Sequence, residues 1–183
     1  MKLLGISGSL RRGSFNSGLL EAGAALLPEG VEMALFSCGD IPLYNKDLDT
    51  EDKPEPVRQL LQAIRYADGL VFACPEYNYS FSGVLKNTLD WASRPAYTSV
   101  LAGKPAAIVC ASQGPVGGAR AHAHLCQVLA ATLSPVVPSP PFLVPLAKER
   151  FSSEGVFIDD DGKRRLARYL GDFVAWVRRL AKE

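Results

Sequence analysis

Apolar runs alternate with helical patterns along the whole chain. Four runs are bounded by Gly, Pro or Ser and lack a clean polar–apolar alternation, which is typical of strands buried on both faces. These runs cover residues 3–6, 31–36, 70–74 and 106–111. Between and after them, apolar positions recur at helical spacing over residues 15–26, 57–64, 84–92, 118–133 and 166–181. The pattern therefore predicts alternating strands and helices.

Strands that alternate with helices form a parallel sheet, because each right-handed crossover lets the next strand run in the same direction. We expect an α/β fold with a doubly wound, five-stranded parallel sheet and helices on both faces. The fifth strand is expected within residues 135–145, where the prolines favour a sheet edge. Asp160, Asp161 and Gly162 predict a turn before the last helix. The length of 183 residues fits one domain over residues 1–183.

The charge balance argues against a polyanionic partner. The chain has 20 Lys and Arg against 19 Asp and Glu, so no overall field favours nucleic acid or an anionic membrane surface. No stretch approaches the roughly 18 apolar residues that span a bilayer. The four cysteines are far apart and form no C-x-x-C pair, which indicates neither a zinc site nor a disulfide framework. We expect a cytoplasmic protein.

Three loops are candidates for the functional site, because ligands of doubly wound sheets bind outside the carboxyl ends of the strands. They cover residues 7–16, 75–83 and 112–118. The first loop is rich in glycine and hydroxyl groups and leads into a helix, whose unpaired N–H groups and dipole favour a phosphate. Arg11 or Arg12 would add positive charge. The alternative is that Ser14 or Asn16 only caps the helix.

The spacing of the first loop excludes two familiar nucleotide motifs. Gly8 and Gly13 stand five positions apart as in a Walker A loop, but Ser14 replaces the required lysine. The glycines also do not form the G-x-G-x-x-G fingerprint of a dinucleotide site. What remains is a terminal monophosphate held without a metal, and FMN is the commonest such cofactor on a doubly wound sheet.

The second loop carries three aromatic residues within five positions, Tyr77, Tyr79 and Phe81. Aromatic side chains on a solvent-facing loop are costly unless something covers them. Either a flat isoalloxazine ring or a second subunit would cover these side chains, and both interpretations stay open. In the predicted helix that follows the third loop, His122 and His124 are two positions apart and face different ways, so they predict no shared metal.

Four motifs occur together and in order. They are GSLRRGSFN, DIPLYNKDLD, PEYNYSFSGVLKNTLDW and GPVGGARAHAHL, and GVFIDDDGKRRL follows before the last helix. With these motifs, nearly the whole chain resembles the NADPH-dependent FMN reductase family, in particular its quinone, azo-dye and chromate reductase branch. The resemblance implies a flavodoxin-like fold with FMN bound non-covalently across the three loops.

The resemblance also implies which residues hold FMN. Side chains and backbone of the first loop would hold the phosphate: Ser9, Leu10, Arg11, Arg12, Gly13, Ser14, Phe15 and Asn16. The second loop would flank the isoalloxazine ring with Pro75, Glu76, Tyr77 and Asn78. Ala111 and Ser112 would approach the ring from the other side, and Ala111 stands where relatives often carry a hydroxyl.

The implied activity is electron transfer from NADPH or NADH through FMN to a small-molecule acceptor such as a quinone, an azo compound or chromate. We expect no catalytic nucleophile or acid–base pair. The alternative is a flavodoxin-type carrier without direct NAD(P)H oxidation, although carriers that dock by charge usually have a marked net charge. A third hypothesis is a flavin-free binding domain with the same fold.

The resemblance further implies a homodimer, which in the family often pairs into a homotetramer. The flavin pocket would lie near the subunit boundary, together with Tyr79, Arg120 and the helix after Gly118. Ala123 and Cys126 stand where relatives tend to carry larger or charged side chains. We therefore expect the dimer rather than the tetramer.

Overall fold

The computed structural model describes residues 1–181, so residues 182 and 183 of the predicted domain lie outside the described part. The strands are β1 (Lys2–Ser7), β2 (Glu32–Phe36), β3 (Gly69–Ala73), β4 (Glu76–Tyr77), β5 (Ser80–Phe81), β6 (Ala106–Ala111) and β7 (Phe142–Val144). The helices are α1 (Phe15–Ala25), α2 (Glu55–Tyr66), α3 (Gly83–Ala92), α4 (Ala119–Ala131) and α5 (Asp160–Leu180). Every helix predicted from the apolar spacing is present.

Five strands form one parallel sheet in the order β2-β1-β3-β6-β7. The order reverses at β1, because β2 lies on one side of it and β3 on the other. In the centre of the sheet, Gly5 lies beside Val71 and Val71 beside Ala107. This is the flavodoxin-like strand order, and the prediction of a doubly wound, five-stranded parallel sheet is confirmed.

Helices cover both faces of this sheet. Successive strand residues point to opposite faces, so Leu4 belongs to the core beneath α2, α3 and α4, whereas Leu3 belongs to the core beneath α1 and α5. Strands β3 and β6 are buried over their full length. Burial on both faces explains why their sequences are continuous apolar runs, and it fixes the loops that leave their carboxyl ends.

The prediction of a strand buried on both faces is wrong for residues 31–36. Strand β2 begins at Glu32 and lies at the sheet edge, where it pairs with β1 alone. Glu32, Ala34 and Leu35 are exposed. The helices cover this edge only in part, so a run with the composition of a central strand is left half in solvent.

The prediction of a turn at Asp160, Asp161 and Gly162 is also wrong, because α5 begins there. Asp159 is the N-cap, and its Oδ1 accepts from the Gly162 N–H at 3.1 Å. The carboxylates of Asp160 and Asp161 lie in the first turn of α5, where the positive end of the helix dipole stabilises their negative charge. The same residue types that favour turns therefore serve here as a helix start.

The proline-rich segment forms an edge strand, as predicted, but only in its last part. Strand β7 pairs with β6 over residues 142–144, and upstream of it Val136 makes a single bridge to Ala106. Between these two contacts the chain leaves the sheet. The Tyr169 hydroxyl of α5 takes the vacated place, because it donates to the Ile108 carbonyl oxygen at 3.0 Å and accepts from the Ile108 N–H at 3.1 Å.

Candidate functional site

Three loops leave the carboxyl ends of β1, β3 and β6 and meet at one edge of the sheet. Ser7 at the end of β1 lies beside Ala73 at the end of β3. The Gly8 N–H donates to the Ala73 carbonyl oxygen at 2.9 Å, and the Ser82 hydroxyl donates to the Gly8 carbonyl oxygen at 2.6 Å. Since Ser82 lies in the second loop, these bonds attach the first loop to the second.

The first loop ends at the N-terminus of α1. Ser14 is the N-cap, and its hydroxyl accepts from the Ser17 N–H at 3.3 Å, so the predicted helix cap is present. Among the described residues 1–181, the backbone N–H groups of residues 12–16 find no protein acceptor. A row of unpaired donors at the positive end of a helix dipole suits a phosphate. Capping and anion binding are therefore compatible in this loop.

Arg11 is the cation of this loop that borders the site. Its guanidinium lies 5.0 Å from the centroid of the Phe15 ring, and its Nη1 donates to the Arg12 carbonyl oxygen at 3.3 Å. The side chain is exposed and, within residues 1–181, makes no ion pair. A planar guanidinium with unused donors is available to an anionic ligand.

The Asn16 side chain makes a connection that the sequence did not predict. It is buried, its Oδ1 accepts from the Ala111 N–H, and its Nδ2 donates to the Ala111 carbonyl oxygen, each at 3.0 Å. The amide therefore ties the first loop to the end of β6. The predicted contact of Asn16 with the phosphate stays a prediction, and these two bonds add a positioning role for its side chain.

A later segment supports the first loop from behind. Gly13 adopts a φ of 60°, and a Cβ there would lie 3.2 Å from the Glu154 carbonyl oxygen. A Cβ at Gly18 would collide with the Gly155 carbonyl oxygen. Residues 152–155 therefore pack backbone against backbone with the loop, which only glycine permits at these positions. Sequence reasoning missed this support, and its only signal was the glycines themselves.

A cavity of about 160 Å³ lies between the three loops. It brings together ten of the predicted cofactor residues: Ser9, Arg11, Ser14, Phe15, Asn16, Pro75, Glu76, Tyr77, Ala111 and Ser112. Gln113 also lines it and was not predicted, because no motif singles it out. Leu10 and Arg12 line a neighbouring cavity of about 360 Å³ on the other side of the loop, and Gly13 and Asn78 line neither.

The second loop is a small antiparallel hairpin rather than an irregular loop. Tyr77 in β4 lies opposite Ser80 in β5, and Asn78 and Tyr79 form the turn with φ angles of 48° and 66°. Tyr77 and Tyr79 are 54% and 64% exposed, whereas Phe81 packs against the core. The hairpin thus presents two exposed aromatic rings, of which that of Tyr77 lines the cavity.

Glu76 anchors this hairpin to α4. Its Oε2 accepts from the N–H groups of Arg120 at 3.2 Å and Ala121 at 3.4 Å, and its Oε1 accepts from Arg120 Nε at 2.7 Å. Burial alone would raise the pKa of Glu76, but the hydrogen bonds from Arg120 and Ala121 together outweigh burial and lower it. Glu76 is therefore an ionised helix cap at neutral pH, which does not suit it to act as a general acid.

The cysteines offer no nucleophile at this edge. Cys74 and Cys110 are buried at the ends of neighbouring strands. The adjacent Cys74 thiol and burial raise the pKa of Cys110 well above its ordinary value. A thiol that resists ionisation is a poor nucleophile and a poor metal ligand.

The histidines of α4 have separate partners. His124 Nδ1 lies 3.0 Å from the Ser80 hydroxyl, and His122 Nδ1 lies 3.7 Å from Cys126 Sγ. Across residues 1–181, no three His, Cys, Asp or Glu side chains are grouped as a metal site would require. None of the helices in that range combines the length and hydropathy needed to cross a bilayer.

Comparison with known proteins agrees with this geometry. The family model for NADPH-dependent FMN reductase matches residues 1–149. An NAD(P)H-dependent FMN reductase of Pseudomonas aeruginosa is 44% identical, with 98% of this chain and 97% of the relative covered. A 2-hydroxy-1,4-benzoquinone reductase of a Burkholderia species is 40% identical over 97% of both chains. A quinone reductase of Escherichia coli is 38% identical over 98% of this chain and 97% of its own.

A solved structure supports the same family assignment. The flavoenzyme FerB of Paracoccus denitrificans, an NAD(P)H:(acceptor) oxidoreductase, superimposes with a TM-score of 0.87 at 34% identity over 97% of each chain. The predictions of a flavodoxin-like fold, an oxidoreductase and an FMN cofactor are thereby confirmed. The chain belongs to the NADPH-dependent FMN reductase family.

Proposed function

We propose that this chain transfers electrons from NADPH or NADH through FMN to a quinone. One observation carries the proposal: Arg11 and residues 14–16, whose backbone N–H groups are unpaired, share a cavity with Pro75 and Tyr77. The first surface suits a monophosphate and the second suits a flat ring. Relatives of the chain that are named quinone reductases support the class of acceptor.

Energetics require both surfaces. Hydrogen bonds to a charged group contribute roughly 1.5–3 kcal/mol each. A cofactor held at nanomolar concentration needs about 12 kcal/mol net of the ordering cost. Part of the sum of these hydrogen bonds offsets the loss of translational and rotational freedom on binding, so we expect the ring to contribute as well, through contacts with the hairpin and with the end of β6.

We assign the phosphate to the first loop, with hydroxyls from Ser9 and Ser14, charge from Arg11 and N–H groups from residues 12–16. Leu10 and Arg12 shape the turn, and Asn16 fixes its distance from β6. Residues 75–78 flank the ring on one side, and the backbone of Ala111 and Ser112 approaches it from the other. When bound, FMN supplies a ring that accepts hydride from NAD(P)H and passes electrons to an acceptor. The chain's own residues bind and orient FMN, and Glu76, the carboxylate among the described lining residues, is held in an ion pair with Arg120.

Anaerobic mixing of the FMN-loaded protein with NADPH or NADH tests the proposal against a flavodoxin-type carrier. We expect prompt loss of the flavin absorbance with at least one nicotinamide, followed by its return when a benzoquinone is added. Flavin colour that persists with both nicotinamides would favour the carrier. A protein that takes up no FMN at all would favour the third hypothesis, a flavin-free binding domain.

Steady-state rates with a panel of acceptors would define the substrate class. We expect quinones to be reduced fastest, and azo dyes and chromate to be slower. Tyr77 lines the cavity and is itself exposed, so we expect the shape of the acceptor to be only weakly constrained. A panel in which quinones are inert would contradict the assignment.

We also infer a homodimer that acts in the cytoplasm. The exposed Tyr77 and Tyr79 lie beside α4 and form an aromatic surface that a second copy of the chain would cover. Sedimentation should therefore give about twice the monomer mass of 19.7 kDa. A monomer at micromolar concentration would contradict the dimer, and a mass near four times the monomer would favour the tetramer.

A further inference from the structure

The turn of the hairpin has a conformation that its sequence does not favour. Asn78 and Tyr79 both have positive φ, at 48° and 66°. Two-residue hairpin turns of this kind place glycine at the second position, because a Cβ there is crowded. Asn tolerates the left-handed region, but tyrosine is an outlier in it. An interaction outside the turn must therefore hold Tyr79 in place.

That interaction comes from α4. The Arg120 guanidinium carbon lies 4.0 Å from the centroid of the Tyr79 ring, close enough for a strong cation–π stack. The same guanidinium pairs with Glu76 through Nε at 2.7 Å and Nη2 at 2.5 Å. One side chain of α4 thus holds the hairpin at two points, the start of β4 and the turn.

The core does not supply an equivalent hold on Tyr79. Its side chain is 64% exposed, whereas the Glu76 side chain is only 7% exposed. Glu76 also keeps its bonds to the Arg120 and Ala121 N–H groups without help from the guanidinium. Loss of the guanidinium should therefore loosen the turn more than the start of the hairpin.

We propose that Arg120 is a positioning residue for the flavin: by stacking on Tyr79 it maintains the left-handed turn and so fixes the backbone of Tyr77 and Asn78. Arg120 itself does not line the cavity. The assignment rests on the proposed function, in which this backbone flanks the ring. It predicts that FMN affinity depends on a side chain outside the cavity and that this dependence passes through Tyr79.

The first test is Arg120→Ala, with FMN affinity measured by quenching of flavin fluorescence. We expect the dissociation constant to rise about tenfold, mainly because loss of the stack on Tyr79 releases the turn. Hydrogen exchange of the apo-protein should show faster exchange of the amides at residues 77–80, with the amides of β3 and β6 unchanged. Arg168→Ala removes an exposed arginine of α5 and should change neither quantity.

The second test is a double-mutant cycle with Tyr79→Gly, which removes both the ring and the strain. In the Tyr79→Gly background we expect Arg120→Ala to raise the FMN dissociation constant by about twofold or less, because the turn no longer needs the stack. An undiminished tenfold effect in that background would mean that Arg120 acts through Glu76 alone and would overturn the proposal. Arg120→Lys keeps the charge without the planar face and should fall between wild type and Arg120→Ala.

Two further results would decide against the assignment. If Arg120→Ala binds FMN as tightly as wild type, Arg120 has no positioning role, although the proposed function stands. If sedimentation shows that Arg120→Ala converts a dimer to monomers and FMN affinity follows the monomer fraction, Arg120 acts through a subunit interface instead. A wild-type chain without FMN affinity would overturn the proposed function and this assignment together.

Discussion

The side chain of Asn16 satisfies both backbone hydrogen-bonding groups of Ala111, 95 residues further along the chain, through two hydrogen bonds of 3.0 Å. The neighbouring Ser112 N–H faces β7, where it donates to the Val144 carbonyl oxygen. Since backbone groups alternate sides along a parallel strand, Ala111 faces β3, which has already ended at Ala73. Asn16 thus takes the place of a strand residue at the point where the sheet opens to form the site.

Replacing Asn16 should weaken both the fold and the flavin site. Asn16→Ala leaves a buried N–H and a buried carbonyl without partners, so we expect the free energy of unfolding of the apo-protein to fall by about 1–3 kcal/mol. FMN affinity should fall as well, because the first loop loses its fixed distance from β6. Urea unfolding and FMN titration would measure the two effects.

Asn16→Asp provides the matched comparison. The carboxylate still accepts from the Ala111 N–H, but it repels the carbonyl oxygen and places a negative charge beneath the phosphate loop. We expect it to bind FMN more weakly than Asn16→Ala does. Equal FMN affinity in wild type and both variants would show that the Asn16–Ala111 connection has no bearing on the site.

Arg11 should contribute to FMN binding without contributing to the fold. Its side chain is exposed, stacks on the Phe15 ring and donates to the Arg12 carbonyl oxygen of its own loop. For Arg11→Ala we expect the FMN dissociation constant to rise by about tenfold to a hundredfold, the loss of a charged hydrogen bond of about 1.5–3 kcal/mol. The apo-protein should unfold within about 0.5 kcal/mol of wild type. Unchanged FMN affinity would contradict the phosphate assignment.

The elements of the fold could be predicted because burial leaves a local record in the sequence. Strands β3 and β6 are buried on both faces and therefore appear as apolar runs. The local sequence carries no such record where the structure of a segment depends on contacts with distant parts of the chain. Nothing in residues 31–36 shows that β2 lacks a second neighbouring strand, and nothing in Asp160–Gly162 shows that the chain continues as a helix there.

The sequence predicts the loops of the candidate site but not the contacts between them. The rule that ligands bind at the carboxyl ends of parallel strands placed the three loops correctly, and ten predicted residues share one cavity. The bond from Asn16 to Ala111 and the stack of Arg120 on Tyr79 join residues far apart in the chain. Such contacts have no periodicity and no spacing, so only the folded chain reveals them.

The contact between Gly18 and Gly155 should tolerate no side chain. A Cβ at Gly18, inside α1, would collide with the Gly155 carbonyl oxygen, which belongs to the backbone and cannot rotate away. We expect Gly18→Ala to lower the free energy of unfolding by about 1–3 kcal/mol despite the better helix propensity of alanine. The displaced residues 152–155 also support Gly13, so FMN affinity should fall too.

Gly171→Ala is the matched control, since Gly171 lies inside α5 and, apart from the backbone of its own helix and its chain neighbours, no described atom lies within 4 Å of a Cβ built there. Alanine at this position should stabilise the protein by about 0.5–1 kcal/mol and leave FMN affinity unchanged. Thermal unfolding of the two variants side by side separates packing from propensity. If Gly18→Ala were as stable as Gly171→Ala, the support of the phosphate loop by residues 152–155 would be refuted.

Tyr169 makes the stability of the sheet sensitive to alkali. Its hydroxyl bonds both backbone groups of Ile108, and burial raises its pKa from 10 to about 12. Between these two pH values the unfolded chain loses the phenol proton while the folded chain keeps it. Stability is therefore complete below pH 10 and falls as the pH rises, by about 1.4 kcal/mol for each pH unit in this window.

Tyr169→Phe should remove this dependence, so the stability that the substitution costs should shrink as the pH rises from 10 to about 12. At neutral pH we expect the free energy of unfolding to fall by about 1–3 kcal/mol, because the Ile108 N–H and carbonyl groups lose their partner in the middle of β6. Urea unfolding of both proteins at several pH values from 8 to about 12 would measure the difference between them. The two curves should converge as the pH rises through the window. Curves that stay parallel would mean that the buried hydroxyl does not hold its proton as the structure requires.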